Sequence, residues 1–253
     1  MQQNPSIDYA AITDVGLKRA HNEDAISVVP ELGLTILADG MGGYNAGEIA
    51  SMMCINVISN FIHDKLHRLR AYLLPYQVDD LKNMMVDAVE LANIAILQAA
   101  ADDPQYFGMG TTLVSTLSAK DNLIVAHVGD SRAYRLRNGE LTQITHDHSV
   151  VQEQIDAGLI TEESAHTSDI KNLVTRAVGV MDLMEVEVHA HKTEPQDLYL
   201  LCSDGLSDML LPHEIAEILV KPELSLTDMS RELVDLANLH GGRDNISVIL
   251  FKT

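Results

Sequence analysis

Basic residues are scarce in this sequence, and their scarcity excludes several classes of protein. The 253 residues include 17 lysines and arginines against 37 aspartates and glutamates, a net charge of −20 with histidine neutral. A protein that follows nucleic-acid phosphates needs a basic surface, so no nucleic-acid partner is expected. Glycine and proline are not in excess, at 15 and 7 residues, and 46% of the chain is hydrophobic, which excludes collagen-like and disordered classes.

Cysteine is also rare. Cys54 and Cys202 lie in apolar stretches without the spacing of a zinc or redox motif, so we interpret them as buried thiols of a cytosolic protein. Residues 1–11 carry no basic residue ahead of an apolar run, and no segment approaches the roughly 18 apolar residues that a membrane span needs. We therefore expect a cytoplasmic protein with no membrane partner.

Short runs rich in Val, Ile, Leu and Thr predict strands. They lie near Tyr9 to Thr13, Ala25 to Val29, Leu34 to Ala38, Thr111 to Leu117, Leu123 to Val128, Ala133 to Leu136, Val186 to His191, Leu198 to Cys202 and Ile246 to Phe251. Asn138-Gly139 predicts a hairpin turn, because both residues tolerate positive φ.

Two long segments have helical periodicity instead. Apolar residues recur at helical spacing from Ala46 to His63 and again from Leu81 to Ala99. Shorter helices are predicted at Val150 to Ala157, His213 to Val220 and Thr227 to Leu239. Strands come in blocks around the helix pair, which favours antiparallel sheets with helices outside, and the lack of any linker predicts one domain over residues 1–253.

Carboxylates recur at the ends of the predicted strands. Single Asp-Gly pairs are ordinary turns, but several carboxylates brought together repel one another unless divalent cations neutralise them. Oxygen ligands favour Mg²⁺ or Mn²⁺ over zinc. The residues concerned are Asp39, Asp130 and Asp204 after strands, with Glu23-Asp24 and Asp244-Asn245 elsewhere.

Motifs of other enzyme classes are incomplete or poorly placed in this sequence. Gly42 to Gly47 has the spacing of a phosphate-binding loop but is followed by Glu48 instead of lysine. His213 to Glu217 lacks the second histidine of a zinc protease. Gly129-Asp130-Ser131 could pass for an esterase nucleophile, but it lies mid-chain and is followed by Arg132.

Seven motifs in order resemble those of the metal-dependent protein serine/threonine phosphatases, the PPM or type 2C family, in its bacterial form. The resemblance runs from about Tyr9 to Phe251, nearly the whole chain. The motifs are Arg19 to Asp24, Ala38 to Gly43, Gly110 to Thr112, Val128 to Arg132, Thr175 to Gly179, Cys202 to Leu206 and Gly241 to Ser247.

This resemblance implies an α+β fold, a four-layer α-β-β-α sandwich of two antiparallel sheets flanked by antiparallel helices. It also implies a metal cleft at one end of the sandwich. In the family pattern, the ligands of two ions are Asp39, the Gly40 carbonyl, Asp204 and Asp244, with Glu23 and Asp24 holding metal-bound waters. Asp130, Asp204 and Asp208 match the ligands of a third ion in bacterial members.

The resemblance further implies hydrolysis of phosphoserine and phosphothreonine by in-line attack of a metal-bridged hydroxide. Arg19 matches the phosphate-binding arginine, and Asp24 is placed to orient the nucleophile. Met41 stands where eukaryotic members have a histidine proposed as general acid, and methionine cannot donate a proton. His21 and His148 are then candidates by proximity in sequence. Residues 145–169 correspond to the variable flap beside the cleft.

The expected function is that of an enzyme, a protein-serine/threonine phosphatase that reverses a bacterial Ser/Thr kinase on phosphorylated proteins, in a monomeric state. Two alternatives stay open. One is a catalytically silent phospho-binding scaffold, in which metal carboxylates would be lost, whereas Asp39, Asp204 and Asp244 are all present. The other is a phosphatase of a small anti-sigma-type regulator, which sequence alone does not separate from the first.

Overall fold

Two antiparallel sheets form the centre of the structure. The computed structural model describes residues 7–43, 46–72, 76–161, 164, 170 and 172–253. The first sheet has the order β1 (Asp8–Asp14), β11 (Ile246–Lys252), β10 (Leu198–Cys202), β7 (Arg132–Arg137) and β8 (Glu140–Gln143). The second has the order β2 (Asp24–Val29), β3 (Leu34–Met41), β5 (Leu113–Ala119), β6 (Asn122–Val128) and β9 (Glu187–Lys192), with β4 (Gly110–Thr111) paired to β3.

Helices cover the outer face of each sheet. Helices α1 (Ala46–Ala71) and α2 (Val78–Asp102) pack on the second sheet. On the first sheet lie α5 (Pro212–Leu219) and α6 (Leu226–Leu239), while α3 (Val150–Asp156) and α4 (Asp204–Ser207) are shorter. The predicted four-layer α-β-β-α sandwich is therefore confirmed.

Apolar side chains point alternately to the two faces of the strands and form separate layers between the helices and the sheets and between the two sheets. In β3, Leu34 and Ile36 face the helices, and Leu37 faces the first sheet, where it meets Ile249 and Phe251 of β11. The other face of β11 packs against α5 and α6. Because successive side chains point to opposite faces, one central strand contributes to two layers.

The strand and helix predictions hold with few exceptions. Helix α1 continues past the predicted end at His63 to Ala71, and the predicted strand at Thr111 to Leu117 is divided at Thr112. Asn138 and Gly139 have φ of 53° and 83°, which confirms the hairpin turn. Strand β8 and helix α4 were not predicted, because each is only four residues long.

Contrary to the expectation that no segment approaches the length of a membrane span, one described helix, α2, is long and apolar enough by length and composition. Its buried residues, including Leu81, Met85 and Ile96, pack into the layer between the helices and the second sheet. A core helix meets the same two criteria, so this is weak evidence for a membrane span.

Candidate active site

A cleft of about 220 Å³ opens at one end of the sandwich. Strands β3, β6 and β10 end beside it, and β2 and β11 begin there. The residues that line it are Arg19, Glu23, Asp39, Gly40, Met41, Gly42, Thr112, Asp130, Asn172, Val174, Asp204, Asp244 and Asn245.

The fold brings the strand-end carboxylates together. Asp39 in β3 lies opposite Asp24, the first residue of β2. Asp130 follows β6, Asp204 follows β10 and Asp244 precedes β11. In an antiparallel sheet the end of one strand lies beside the start of its neighbour, so residues distant in the chain share one edge.

Burial and mutual repulsion disfavour the charged forms of these groups. Burial raises the pKa of Asp24 to about 6 and that of Asp130 to about 7. Burial also raises the pKa of Asp39 and that of Asp204 well above their usual range, and neighbouring carboxylates add to both effects. A cation among these groups would reverse this penalty.

The donor set fits a hard divalent cation. Asp24 Oδ2 accepts hydrogen bonds from Ser203 Oγ at 2.8 Å and Ser247 Oγ at 2.6 Å. The Oδ1 atoms of Asp24 and Asp204 are buried without a hydrogen-bond partner within the described part of the chain. Unpaired buried carboxylate oxygens, with no cysteine or histidine among the described lining residues, are suited to Mg²⁺ or Mn²⁺ or their bound water.

Arg19 is the one cationic residue among the described residues that line the cleft. Its Nη2 donates to Asp244 Oδ2 at 2.6 Å, and this hydrogen bond is the main cause of the raised Arg19 pKa. The side chain is half exposed, so its guanidinium is held at the cleft and still reaches solvent.

Backbone contacts fix the Asp39-Gly40 turn. The Asp39 carbonyl accepts from Thr111 Oγ1 at 2.9 Å and from the Thr112 N–H at 2.8 Å. Residue 40 has to be glycine, because a Cβ there would lie 2.1 Å from the Gly47 carbonyl oxygen. The predicted strand is divided at Thr112, where the Asp39 N–H donates to the Thr112 hydroxyl at 3.2 Å and not to the Thr112 carbonyl that a continuous ladder would use.

All of the predicted site residues come together at this end of the fold, although not all of them line the cleft. Asp24 lies opposite Asp39 in the strand pair and is buried, and it is absent from the lining. Asp208, just after α4, is close enough for its charge to raise the pKa of Asp204 and of Asp130. Glu23 lines the cleft, and burial is the main cause of its raised pKa.

Several polar residues that hold these carboxylates have no predicted role in the sequence patterns. Ser203 and Ser247 bind Asp24, and Asn245 Oδ1 accepts from the Glu23 N–H at 2.8 Å. Each lies within three residues of a predicted ligand. That adjacency was the available signal, but their contacts join residues more than 170 positions apart in the chain.

Two sequence-based alternatives lose support. Ser131 is buried and shares a 2.7 Å hydrogen bond with Thr112 Oγ1, so it is not an exposed esterase nucleophile. His21 and His148, considered as general acids, are absent from the cleft lining, and His148 is buried. Met41 does line the cleft.

A sandwich of two antiparallel sheets between helices, with a carboxylate cluster and an arginine at one end, defines the class of metal-dependent protein phosphatases. The chain belongs to the protein phosphatase 2C family, whose model matches residues 18–238. This family comprises hydrolases that act on phosphorylated proteins.

Individual relatives agree with this assignment. The chain is 40% identical over 242 residues to the serine/threonine protein phosphatase PstP of Mycobacterium tuberculosis, covering 96% of this chain and 44% of PstP. It is 37% identical to the serine/threonine phosphatase stp of Listeria welshimeri, covering 94% and 92% of the two chains. A crystal structure of the PstP catalytic domain with two manganese ions superimposes with a TM-score of 0.84 at 39% identity, covering 97% of each chain.

Proposed function

We propose that this chain is a Mg²⁺- or Mn²⁺-dependent phosphatase of phosphoserine and phosphothreonine in proteins. The observation that carries the proposal is the convergence of the carboxylates around one cleft, with buried Oδ1 atoms of Asp24 and Asp204 unpaired among the described residues and Arg19 at its rim. A silent scaffold has no need to retain such an unfavourable cluster.

The proposed ligands follow from this arrangement. Asp39, the Gly40 carbonyl, Asp204 and Asp244 would hold two ions, and Asp130 and Asp208 would complete a third site with Asp204. Glu23 and Asp24 would hold waters beside them. When bound, the ions would neutralise phosphate charge and make water a stronger nucleophile at neutral pH.

The protein's own groups bind and orient the substrate. The Arg19 guanidinium presents a fork of donors that matches two phosphate oxygens, while its bond to Asp244 fixes its position. Oδ1 of Asp24 would accept a hydrogen bond from the attacking water, because Oδ2 is already held by two serines. The group that protonates the leaving oxygen is not Met41.

The wider setting is also proposed. The opposing enzyme would be a Ser/Thr kinase, and its targets the substrates of a monomeric, cytoplasmic phosphatase. Support for the compartment comes from Cys54 and Cys202, which are free and buried. We further propose one phosphatase domain over residues 1–253 with a flap at 145–169. Within that flap, residues 162–163 and 165–169 lie outside the described residues.

The test is hydrolysis of a phosphothreonine peptide by the purified chain with Mn²⁺, with Mg²⁺ and with EDTA. Asp204→Asn should abolish turnover, while Glu223→Gln, which removes an exposed charge outside the cleft, should not. Loss of turnover in EDTA and in Asp204→Asn alone supports the proposal. A folded wild-type chain without turnover under either metal would favour the scaffold instead.

A further inference from the structure

His148 is buried, and both nitrogens of its imidazole are engaged. The Gly129 N–H donates to His148 Nδ1 at 3.2 Å, and His148 Nε2 lies 3.2 Å from Glu187 Oε2. A backbone amide can only donate, so Nδ1 carries the lone pair and Nε2 carries the proton. His148 therefore accepts from Gly129 and donates to Glu187.

The backbone of His148 makes a second hydrogen bond to the turn at Gly129. Its N–H donates to the Gly129 carbonyl at 2.9 Å, so the amide and the carbonyl of Gly129 are both bound to one residue. Gly129 has a φ of +101°, and a Cβ there would lie 2.8 Å from the Thr112 side chain. Asp130 is the next residue, so its position depends on this turn.

A third contact joins His148 to the segment that leads out of the proposed flap. The Thr175 N–H donates to the His148 carbonyl at 2.8 Å. Arg176 Nη1 is also 3.4 Å from His148 Nε2, but two donors meet there, so this approach is not a hydrogen bond, and Arg176 pairs with Glu185 instead. One buried residue therefore contacts the Asp130 turn, the Thr175 segment and Glu187 of β9.

These residues do not form a metal site of their own. Ligand-type atoms of His127, His148 and Glu187 lie within 4.8 Å of one another. However, the Nδ1 lone pair of His148 is used by Gly129, and His127 Nε2 bonds the His146 carbonyl at 2.8 Å, which leaves only His127 Nδ1 without a partner among the described residues. The two rings are stacked at 4.8 Å and 17°, so their in-plane lone pairs do not converge on one ion.

We propose that His148, held by Glu187, is a positioning residue that fixes the Gly129 turn and thereby aims the Asp130 carboxylate into the cleft. This inference rests on the proposed function, in which Asp130 is a metal ligand. It reassigns His148 from candidate general acid to a residue that acts through Asp130. It also predicts that the third metal site depends on contacts outside its own ligands.

Two variants of His148 separate its two hydrogen bonds. In His148→Asn the side-chain amide oxygen can occupy the place of Nδ1 and accept from Gly129, while the bond to Glu187 is lost. In His148→Gln the longer side chain can donate to Glu187 from the place of Nε2, while the bond to Gly129 is lost. Both variants remove the stacked ring, so each controls for the lost packing against His127.

The first measurement is hydrogen exchange of residues 127–133 in the metal-free protein. The second is Mn²⁺ binding followed by electron paramagnetic resonance, with Asp130→Ala marking the site that depends on that carboxylate. His148→Gln should speed exchange at Gly129 and weaken the Asp130-dependent site roughly tenfold, as loss of an outer-shell contact does. His148→Asn should stay within about twofold of wild type. Glu187→Ala, at a partly exposed position, should act in the same direction as His148→Gln but less strongly.

Equal behaviour of the Asn and Gln variants would overturn the inference, as would unchanged Mn²⁺ binding in Asp130→Ala. If the ring variants do not fold, exchange and Mn²⁺ binding in Glu187→Ala decide the question, and wild-type values there would refute it. The proposed function fails separately, because its failure is the absence of metal-dependent turnover in the wild-type chain.

Discussion

Removing the metals should make the stability of this protein fall as pH rises, and the Asp24→Asn variant should weaken that dependence. Asp24 has a pKa of about 6 in the metal-free fold, compared with 3.8 as its ordinary value, chiefly because it is buried. The folded chain therefore binds more protons than the unfolded chain between these values. Its stability decreases as pH rises through that window and is lowest above the folded pKa.

The magnitude follows from the two pKa values. For one group, integration gives about 3 kcal/mol lost in total from acid to neutral pH, of which about half is lost between pH 5 and pH 8. Asp130, with a pKa raised to about 7, should add to the same trend. Saturating Mn²⁺ should oppose it, because metal binding requires the ionised carboxylates and strengthens as they deprotonate.

The assay is urea unfolding in EDTA at pH 5, 6.5 and 8, with wild type and Asp24→Asn side by side. The asparagine keeps an acceptor for Ser203 and Ser247 but carries no charge. Histidines whose pKa is lowered by burial, such as His127, titrate in both proteins and cancel in the difference. Wild type should lose roughly 1–2 kcal/mol more than the variant between pH 5 and pH 8, because the charge of Asp24 also raises the pKa of Asp39. Parallel pH profiles would refute the reasoning.

Three further predictions concern individual residues. Arg19→Lys keeps the charge but loses the forked donors, so KM for a phosphothreonine peptide should rise about tenfold while half-activation by Mn²⁺ stays unchanged; an unchanged KM in steady-state kinetics would contradict this. Gly205→Ala places a Cβ 1.9 Å from a backbone oxygen and should cost about 1–3 kcal/mol in urea unfolding, whereas Gly43→Ala, with no atom of the described, non-adjacent residues within 4 Å, should be close to neutral. Cys54 and Cys202 are buried, with thiol pKa values raised to about 12, so a thiol reagent should label neither in the native protein and both in urea.

The positions of the carboxylates could be predicted from sequence because they follow a local rule. Apolar strands that end in Asp39, Asp130 and Asp204 place charge at the edge of a buried sheet, and antiparallel pairing brings such edges together. The helices could also be predicted from a local pattern, because apolar residues recur at helical spacing along each of them. These local patterns do not indicate which of the two sheets each strand joins. The family resemblance implied two antiparallel sheets but did not assign the strands to them, and the strand pairing in the structure supplies that assignment.

The contacts that hold the site could not be predicted in this way. Ser203 and Ser247 reach Asp24 only because β10 and β11 pair in one register, and Asn245 reaches the Glu23 backbone across the whole chain. Proximity in sequence was misleading for the histidines. His148 was considered as a general acid because it lies near a motif, but the fold commits both of its ring nitrogens to other partners.

The ligand carboxylates were predictable and the residues that hold them were not, and the reason lies in how the site is stabilised. The metal-free cluster is unfavourable, since burial and repulsion raise the pKa of Asp24, Asp39, Asp130 and Asp204 alike. The fold has to hold these groups against their repulsion before any ion arrives, and ligand residues cannot do so themselves. Hydrogen bonds from outside the cluster, at Ser203, Ser247, Thr112 and His148, provide that constraint. A change in one of these supporting residues should therefore alter metal affinity before it alters the chemistry of hydrolysis, because it acts through the position of a carboxylate and touches neither substrate nor water.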